Sequence, residues 1–436
     1  MDQIVIIGQN RLSGTVNISG AKNAAVAIIP AAIAANGVSV IENLPCIEDV
    51  KILAKALETT GVKCSFRDDD HTLTIDSRNI HSCALTYEQA RNMRASYYLL
   101  GAFLGRFKRA VVPLPGGCNF GSRPIDQHIK GLEALGAEII QEHGMLYATA
   151  KRLTGAHIYL DMASVGATIN IMLAAIHAEG VTTIENAAKE PHVVDTANFL
   201  NMLGAKIKGA GTDNIRISGV SELRGAEYQI IPDQIEAGTY MIAAAITGGD
   251  VTVQNIIPKH MDSLSAKLQE MNCTIEEGDD FLRVTGGNLQ ATNVKTMVYP
   301  GFPTDLQPQM TALMSVARGT SVIAETVFDN RFQYVTELRR LGCEVTVEGH
   351  VAVIEGSSVL TGAQVSATDL RAGAALCIAA LAAKGETVIS NIKYLDRGYE
   401  DIAKKLQGLG ADITRVPVLP HVNFAQYEDC DKVNVG

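Results

Sequence analysis

The 436-residue chain has no tryptophan, 5% aromatic residues and 19% charged ones. With so few large rings, Ala, Ile, Val, Leu and 39 Gly must fill the interior, which favours closely packed small-residue helices and many turns. Basic residues are the minority. Against 47 Asp and Glu stand 37 Lys and Arg, a formal charge of −10 that leaves no extended basic field for nucleic acid or an anionic membrane. The cysteines (Cys46, Cys64, Cys83, Cys118, Cys273, Cys343, Cys377, Cys430) form no Cys-x-x-Cys pair and no His-bearing zinc spacing. No metal site is expected from them, no signal peptide precedes them, and the expected setting is a reduced, cytoplasmic one. Long apolar runs are missing too: 24–35 and 372–383 stop far short of the ~20 residues of a membrane span and read as buried core helices. What is present is a 47% apolar fraction, enough for a large interior, in a chain longer than the ~250–300 residues at which single cores stop growing. Two or three domains are expected.

An internal repeat organises the chain. Each copy has an Ala-rich apolar helix, a Gly, a β-branched strand such as Val-Ser-Val-Ile or Val-Thr-Thr-Ile, and an amphipathic helix ending in Leu-Gly-Ala or a relative. The positions that end the second helix are Gly61, Gly136, Gly204, Asn272, Gly342 and Gly410, at intervals of 75, 68, 68, 70 and 68. Six units fit. Asn suits the fourth anchor because it also tolerates a left-handed helix end. Alternating helices and strands predict an α/β protein. Helices apolar on all sides predict enclosure by sheets, the reverse of a TIM barrel. Six such helices exceed one core, so two domains of three units are expected, with a boundary near 229–234. After Val416 the pattern gives way to a polar tail.

Polar residues gather where the helices start. The apolar helices open with Lys22-Asn23, Arg94-Ala95-Ser96, Ser164-Val165-Gly166, Glu236-Ala237-Gly238, Thr304-Asp305 and Asp369-Leu370-Arg371; the amphipathic ones with Arg123-Pro124-Ile125-Asp126, Asp329-Asn330-Arg331 and Asp396-Arg397-Gly398. Capping accounts for the Ser, Asp and Asn, whereas a cation at a helix start opposes the macrodipole. If the helix starts converge, amides together with Lys22, Arg94, Arg123, Arg331, Arg371 and Arg397 line a cleft that traps anions despite the acidic whole. Beside it, the Gly-rich loop 113–124 carries Cys118 at its centre, either a functional thiol or an incidental one.

At these residues the chain resembles the UDP-N-acetylglucosamine 1-carboxyvinyltransferases, the enolpyruvyl transferases that open bacterial peptidoglycan synthesis. The likeness covers roughly residues 1–415 and rests on GAKNAA, MRAS, PGGCNFGSRPID, SVGAT, ENAAKEP, PGFPTDLQPQ, ETVFDNRF, DLRAGA and LDRGYE, in that order. It implies a two-domain inside-out α/β barrel, three repeats per domain: 22–231 with the Cys118 loop, 1–21 plus 232–416, and the tail 417–436. The implied reaction moves the enolpyruvyl group of phosphoenolpyruvate to the 3′-hydroxyl of UDP-N-acetylglucosamine and releases phosphate, with no cofactor and no metal. By matching motifs, Cys118 is implied as proton donor or covalent nucleophile and as the thiol that fosfomycin alkylates. Asp305 accepts or steers the hydroxyl proton; Lys22, Arg123 and Arg397 hold phosphoenolpyruvate, with Asn23 and Arg94 in support. Asn23, Arg94, Arg123, Pro124, Ile125, Asp126, His128, Ser164, Val165, Gly166, Asp305 and Val327 face the UDP-sugar, and Arg331, Asp369 and Arg371 complete the wall.

Blander readings stand beside these. Asp305 is alternatively a helix N-cap, His128 an ordinary helix residue, and Arg331 and Arg371 ion-pair partners of Asp329 and Asp369. Met162 departs from the family pattern, in which some members carry a basic residue two positions before the Ser of SVGAT. The competing functions are a shikimate-pathway enolpyruvyl transferase, whose glycine-lysine-serine opening is not seen, and a non-catalytic UDP-sugar-binding paralogue.

Overall fold

A computed structural model describes residues 2–90, 94–114, 125–357 and 359–417, without the side chains of Ala90 and Arg94. Six helices form the interior: Lys22–Ala32, Tyr98–Phe107, Val165–Ala175, Gln234–Ile246, Gln307–Val316 and Leu370–Ala382. Each is enclosed nearly all round. Their small residues let the axes approach, and the sheets lie outside them as the all-apolar helices predict.

The six repeat anchors all adopt positive φ: Gly61 at 100°, Gly136 at 96°, Gly204 at 108°, Asn272 at 68°, Gly342 at 94° and Gly410 at 95°. That conformation ends each amphipathic helix and turns the chain into a hairpin strand. Five of the six sheets have four strands and the other has three, Arg109–Pro113, Met145–Thr149 and Glu138–Glu142, its fourth member reduced to a bridge between Ala84 and Val111. The sheets stay separate; among the described residues no hydrogen-bonded ring closes, so the inside-out barrel is one of layering rather than of continuous strand pairing.

Two hydrophobic cores result. One runs from Ala21 to Ile230; the other joins Ile4–Ile18 to Ile235–Ile413. The first strand, Asp2–Ile7, lies antiparallel between Glu386–Ser390 and Asp412–Pro417, and Ser13–Asn17 runs parallel to Asp250–Gln254. The chain therefore passes between lobes twice, and the two passes lie side by side: Ala21 N donates to Ile231 O at 2.7 Å and Asp233 N to Ser19 O at 2.9 Å. Gly20 permits this contact, since a Cβ there would stand 1.7 Å from Asn43 O. A buried cluster pins the first pass to the second lobe: Lys405 Nζ donates to Glu236 Oε1 at 2.6 Å and to Ser19 Oγ at 2.7 Å.

Candidate active site

Helix starts meet where the lobes face each other. Lys22 N, in the first turn of its helix, donates to Asp233 Oδ2 at 2.9 Å, while Asp233 Oδ1 caps Gln234–Ile246 through Ile235 N and Glu236 N. Lys22 Nζ lies 3.1 Å from Asp49 Oδ2, and Arg397, from the opposite lobe, donates through Nε to Asp49 Oδ1 at 2.9 Å. Asn23 borders a small gap of about 10 Å³ with Ala21, His192 and Asp233 at the two passes.

Asp305 forms the centre of a second group. It sits in the Thr304–Leu306 turn that leads into Gln307–Val316. Arg331 Nη2 donates to its Oδ1 at 3.1 Å and Arg371 Nη2 to its Oδ2 at 2.9 Å, both guanidiniums being buried. Burial works against the charge, but Arg371, Arg331 and Lys22 hold the carboxyl well below the usual carboxylate range. The structure thus corrects two of the blander readings. Asp305 is no N-cap, because its oxygens face guanidiniums. Arg331 and Arg371 pair with Asp305 instead of Asp329 and Asp369: Asp369 is committed to capping Arg371 N and Ala372 N at 2.8 and 3.1 Å, and Asp329 lies at the surface 4.0 Å from His350. Glu325, buried, accepts from Val327 N and Phe328 N and from Thr304 Oγ1, which places Val327 beside the Asp305 turn.

A third group belongs to the first lobe. Ser164 Oγ caps Val165–Ala175 through Ala167 N at 3.3 Å. Gly166 lets the His128 and Tyr97 side chains close over the turn: a Cβ would stand 2.6 Å from both His128 Nε2 and Tyr97 Oη. His128 is buried, edge-on to Tyr97 at 5.0 Å. Gln127 bridges Asp126 and Asp161, so the start of Asp126–Ala134, preceded by Ile125, and the Ser164-Val165-Gly166 turn share one face. Met162 is 61% exposed on that face, and the neighbouring Asp161 holds Lys130 Nζ at 2.8 Å. Cys118, Arg123, Pro124 and the Arg94 side chain lie outside the described residues.

This arrangement has known counterparts. The family model for EPSP synthase (3-phosphoshikimate 1-carboxyvinyltransferase) matches residues 6–406. UDP-N-acetylglucosamine 1-carboxyvinyltransferase 3 of Caldanaerobacter subterraneus subsp. tengcongensis is 57% identical over 95% of this chain and 100% of its own, and UDP-N-acetylglucosamine 1-carboxyvinyltransferase 2 of Bacillus subtilis 55% over 95% and 97%. The chain belongs to the UDP-N-acetylglucosamine 1-carboxyvinyltransferase family. Among solved structures, the enolpyruvyl transferase NikO from Streptomyces tendae superposes with a TM-score of 0.87 at 28% identity, covering 96% of this chain and 99% of that one. EPSP synthase from Acinetobacter baumannii, at 22% identity and a TM-score of 0.74 over 96% and 100%, shares the fold.

Several residues at the cleft escaped the sequence reading. Asp49, Asp233 and Glu325 order the cations and turns described above. Glu190 accepts from Tyr299 N of the other lobe at 3.4 Å, and burial pulls the His192 imidazole pKa down although Glu190, Asp305 and Asp233 favour its charged form. A signal existed for Asp49: it shares the apolar face of Glu48–Glu58 with Leu53, Ala56 and Leu57, where an acid needs a buried partner.

Proposed function

We propose that the cleft between the lobes transfers the enolpyruvyl group of phosphoenolpyruvate to the 3′-hydroxyl of UDP-N-acetylglucosamine, the first committed step of peptidoglycan synthesis. The observation that carries this reading is the meeting of Lys22 and Arg397 from opposite lobes on Asp49, with Asp305 paired to Arg331 and Arg371 near Lys22. The relatives' names supply the acceptor. In the reaction the 3′-hydroxyl oxygen attacks C2 and gives up its proton, which Asp305 accepts or steers away, as C3 gains a proton, giving a tetrahedral phosphate ketal; C3 then loses a proton, the C2–O bond to phosphate breaks, and inorganic phosphate leaves.

Lys22, Arg123 and Arg397, with Arg94 and Asn23, hold the phosphate and carboxylate of phosphoenolpyruvate. Cys118 supplies the proton to C3 or forms a covalent adduct, and fosfomycin alkylates it. Asp305 orients the 3′-hydroxyl. Pro124, Ile125, Asp126, His128, Ser164, Val165, Gly166 and Val327 receive the UDP-sugar, and Arg331, Asp369 and Arg371 support the Asp305 wall. Residues 22–231 act as one domain and 1–21 plus 232–416 as the other, in a cytoplasmic protein. Phosphate release from phosphoenolpyruvate with UDP-N-acetylglucosamine, run beside shikimate 3-phosphate, tests the reading. Release with the first acceptor alone is expected. Release with shikimate 3-phosphate alone would move the chain to the sister reaction, and turnover no faster than a Cys118→Ala, Asp305→Ala double variant would make it a binding protein.

A further inference from the structure

The Glu48–Glu58 helix opens toward the other lobe, and its first turn carries an acid buried at the seam. Asp49 is 2% exposed. Its Oδ2 lies 3.1 Å from Lys22 Nζ; Arg397 reaches Oδ1 through Nε at 2.9 Å and Oδ2 through Nη2 at 3.5 Å. Lys22 stands on the first lobe, and Arg397 ends the Ile392–Arg397 turn of the second. Burial disfavours the carboxylate, but the two cations outweigh it and hold its carboxyl below the usual range. The lobes also dock close by: Cys46 N donates to Glu400 Oε2 at 3.1 Å, and His71 Nδ1 lies 3.6 Å from Glu400 Oε1. The Lys22 stem runs past Gly398, where a Cβ would stand 2.5 Å from Leu370 Cδ2 and 3.0 Å from Lys22 Cδ.

We infer that Asp49 is a positioning residue for the transfer: it draws Lys22 and Arg397 from opposite lobes to one point, where their other donors address the same anion. The inference rests on the transfer reading above. A bystander ion pair would hold the lobes together without distinguishing the substrates. Asp49 touches the cations assigned to phosphoenolpyruvate, so its loss bears on that substrate.

Asp49→Asn keeps the shape and removes the charge. With UDP-N-acetylglucosamine saturating, kcat/KM for phosphoenolpyruvate should fall about tenfold or more, ~1.4 kcal/mol, while KM for the UDP-sugar stays within about twofold. Inorganic phosphate, titrated calorimetrically into protein loaded with the UDP-sugar, should bind more weakly by a similar factor. Unchanged constants overturn the inference, and so does tighter phosphate binding, which would mark Asp49 as a competing anion. If the Asn variant does not fold, Asp49→Glu, which keeps the charge but moves it by one methylene, should show a smaller loss on the same substrate; wild-type kinetics would overturn the inference. Wild-type protein that releases no phosphate would sink the transfer reading instead, and the phosphate titration would still read on Asp49.

Discussion

Asp305 is a carboxylate held in its ionised form by two buried guanidiniums, which keep its carboxyl well below the usual range; a proton taken from the proposed acceptor hydroxyl would therefore be held only weakly. Asp305→Asn should lower kcat by about 10²-fold or more, read as phosphate release under saturating substrates. The same change leaves Arg331 and Arg371 without their anion and should destabilise the fold by about 3 kcal/mol in urea unfolding. The pH dependence follows from the sign of the shift. The folded carboxyl lies below its unfolded value near ~3.9, so the stability is complete above that pH and drains away as pH falls through it toward the folded value. The Asn variant should lack this part of the acid limb. The thiols make a second prediction at this scale: burial pushes Cys64 and Cys377 up to about 12 and Cys343 up to about 11, so they carry almost no thiolate at neutral pH. Burial likewise raises the Cys46, Cys83 and Cys273 thiols. Fosfomycin should label Cys118 alone, mapped by peptide mass spectrometry; label on another cysteine would remove the reactive-thiol assignment.

Among the elements, the helix-ending anchors make a controlled series. Gly204 has φ of 108° with its nearest foreign atom 3.8 Å from a built Cβ, so Gly204→Ala tests backbone strain nearly free of clash and should cost about 1–2 kcal/mol in denaturant midpoints. Asn272→Gly, at the same point of the fourth unit, should be close to neutral or stabilising. These anchors show what was legible in sequence. A left-handed helix end admits few residue types, so six copies stand out at nearly constant spacing. The same logic holds at Asn43, Asn186, Asn255 and Asn391, each at positive φ just after a repeat strand, a second register that went unread because Asn is common in turns. Side-chain pairings were less legible. Lys22 and Asp305 were visible as charges at helix starts, but their partners Asp49, Arg331 and Arg371 lie 27, 26 and 66 residues away, and only the packed lobes determine which acid meets which base. Asp329 and Asp369 were the near neighbours in sequence; one had a cap to make and the other stays at the surface.

For the whole molecule, two separate cores joined by two adjacent passes place the proposed substrate groups on both lobes. A ligand that touches both should stabilise them together. At a hundred times its Kd, UDP-N-acetylglucosamine should add about 2.7 kcal/mol to the unfolding free energy, seen as a concentration-dependent rise in melting temperature. A melting curve indifferent to the nucleotide sugar would argue against a shared site.

The seat of the first strand, between Glu386–Ser390 and Asp412–Pro417, also sets an order of events during synthesis. Domains ordinarily fold as they leave the ribosome, beginning with the amino terminus. Here residues 2–18 emerge ahead of the first lobe yet belong to the second, and their partner strands are made only after the first lobe is complete. Asp2 and Pro417 finish opposite each other in that sheet, so a short linker between them with new ends opened at a loop elsewhere would yield a circular permutant whose second lobe is born in one piece.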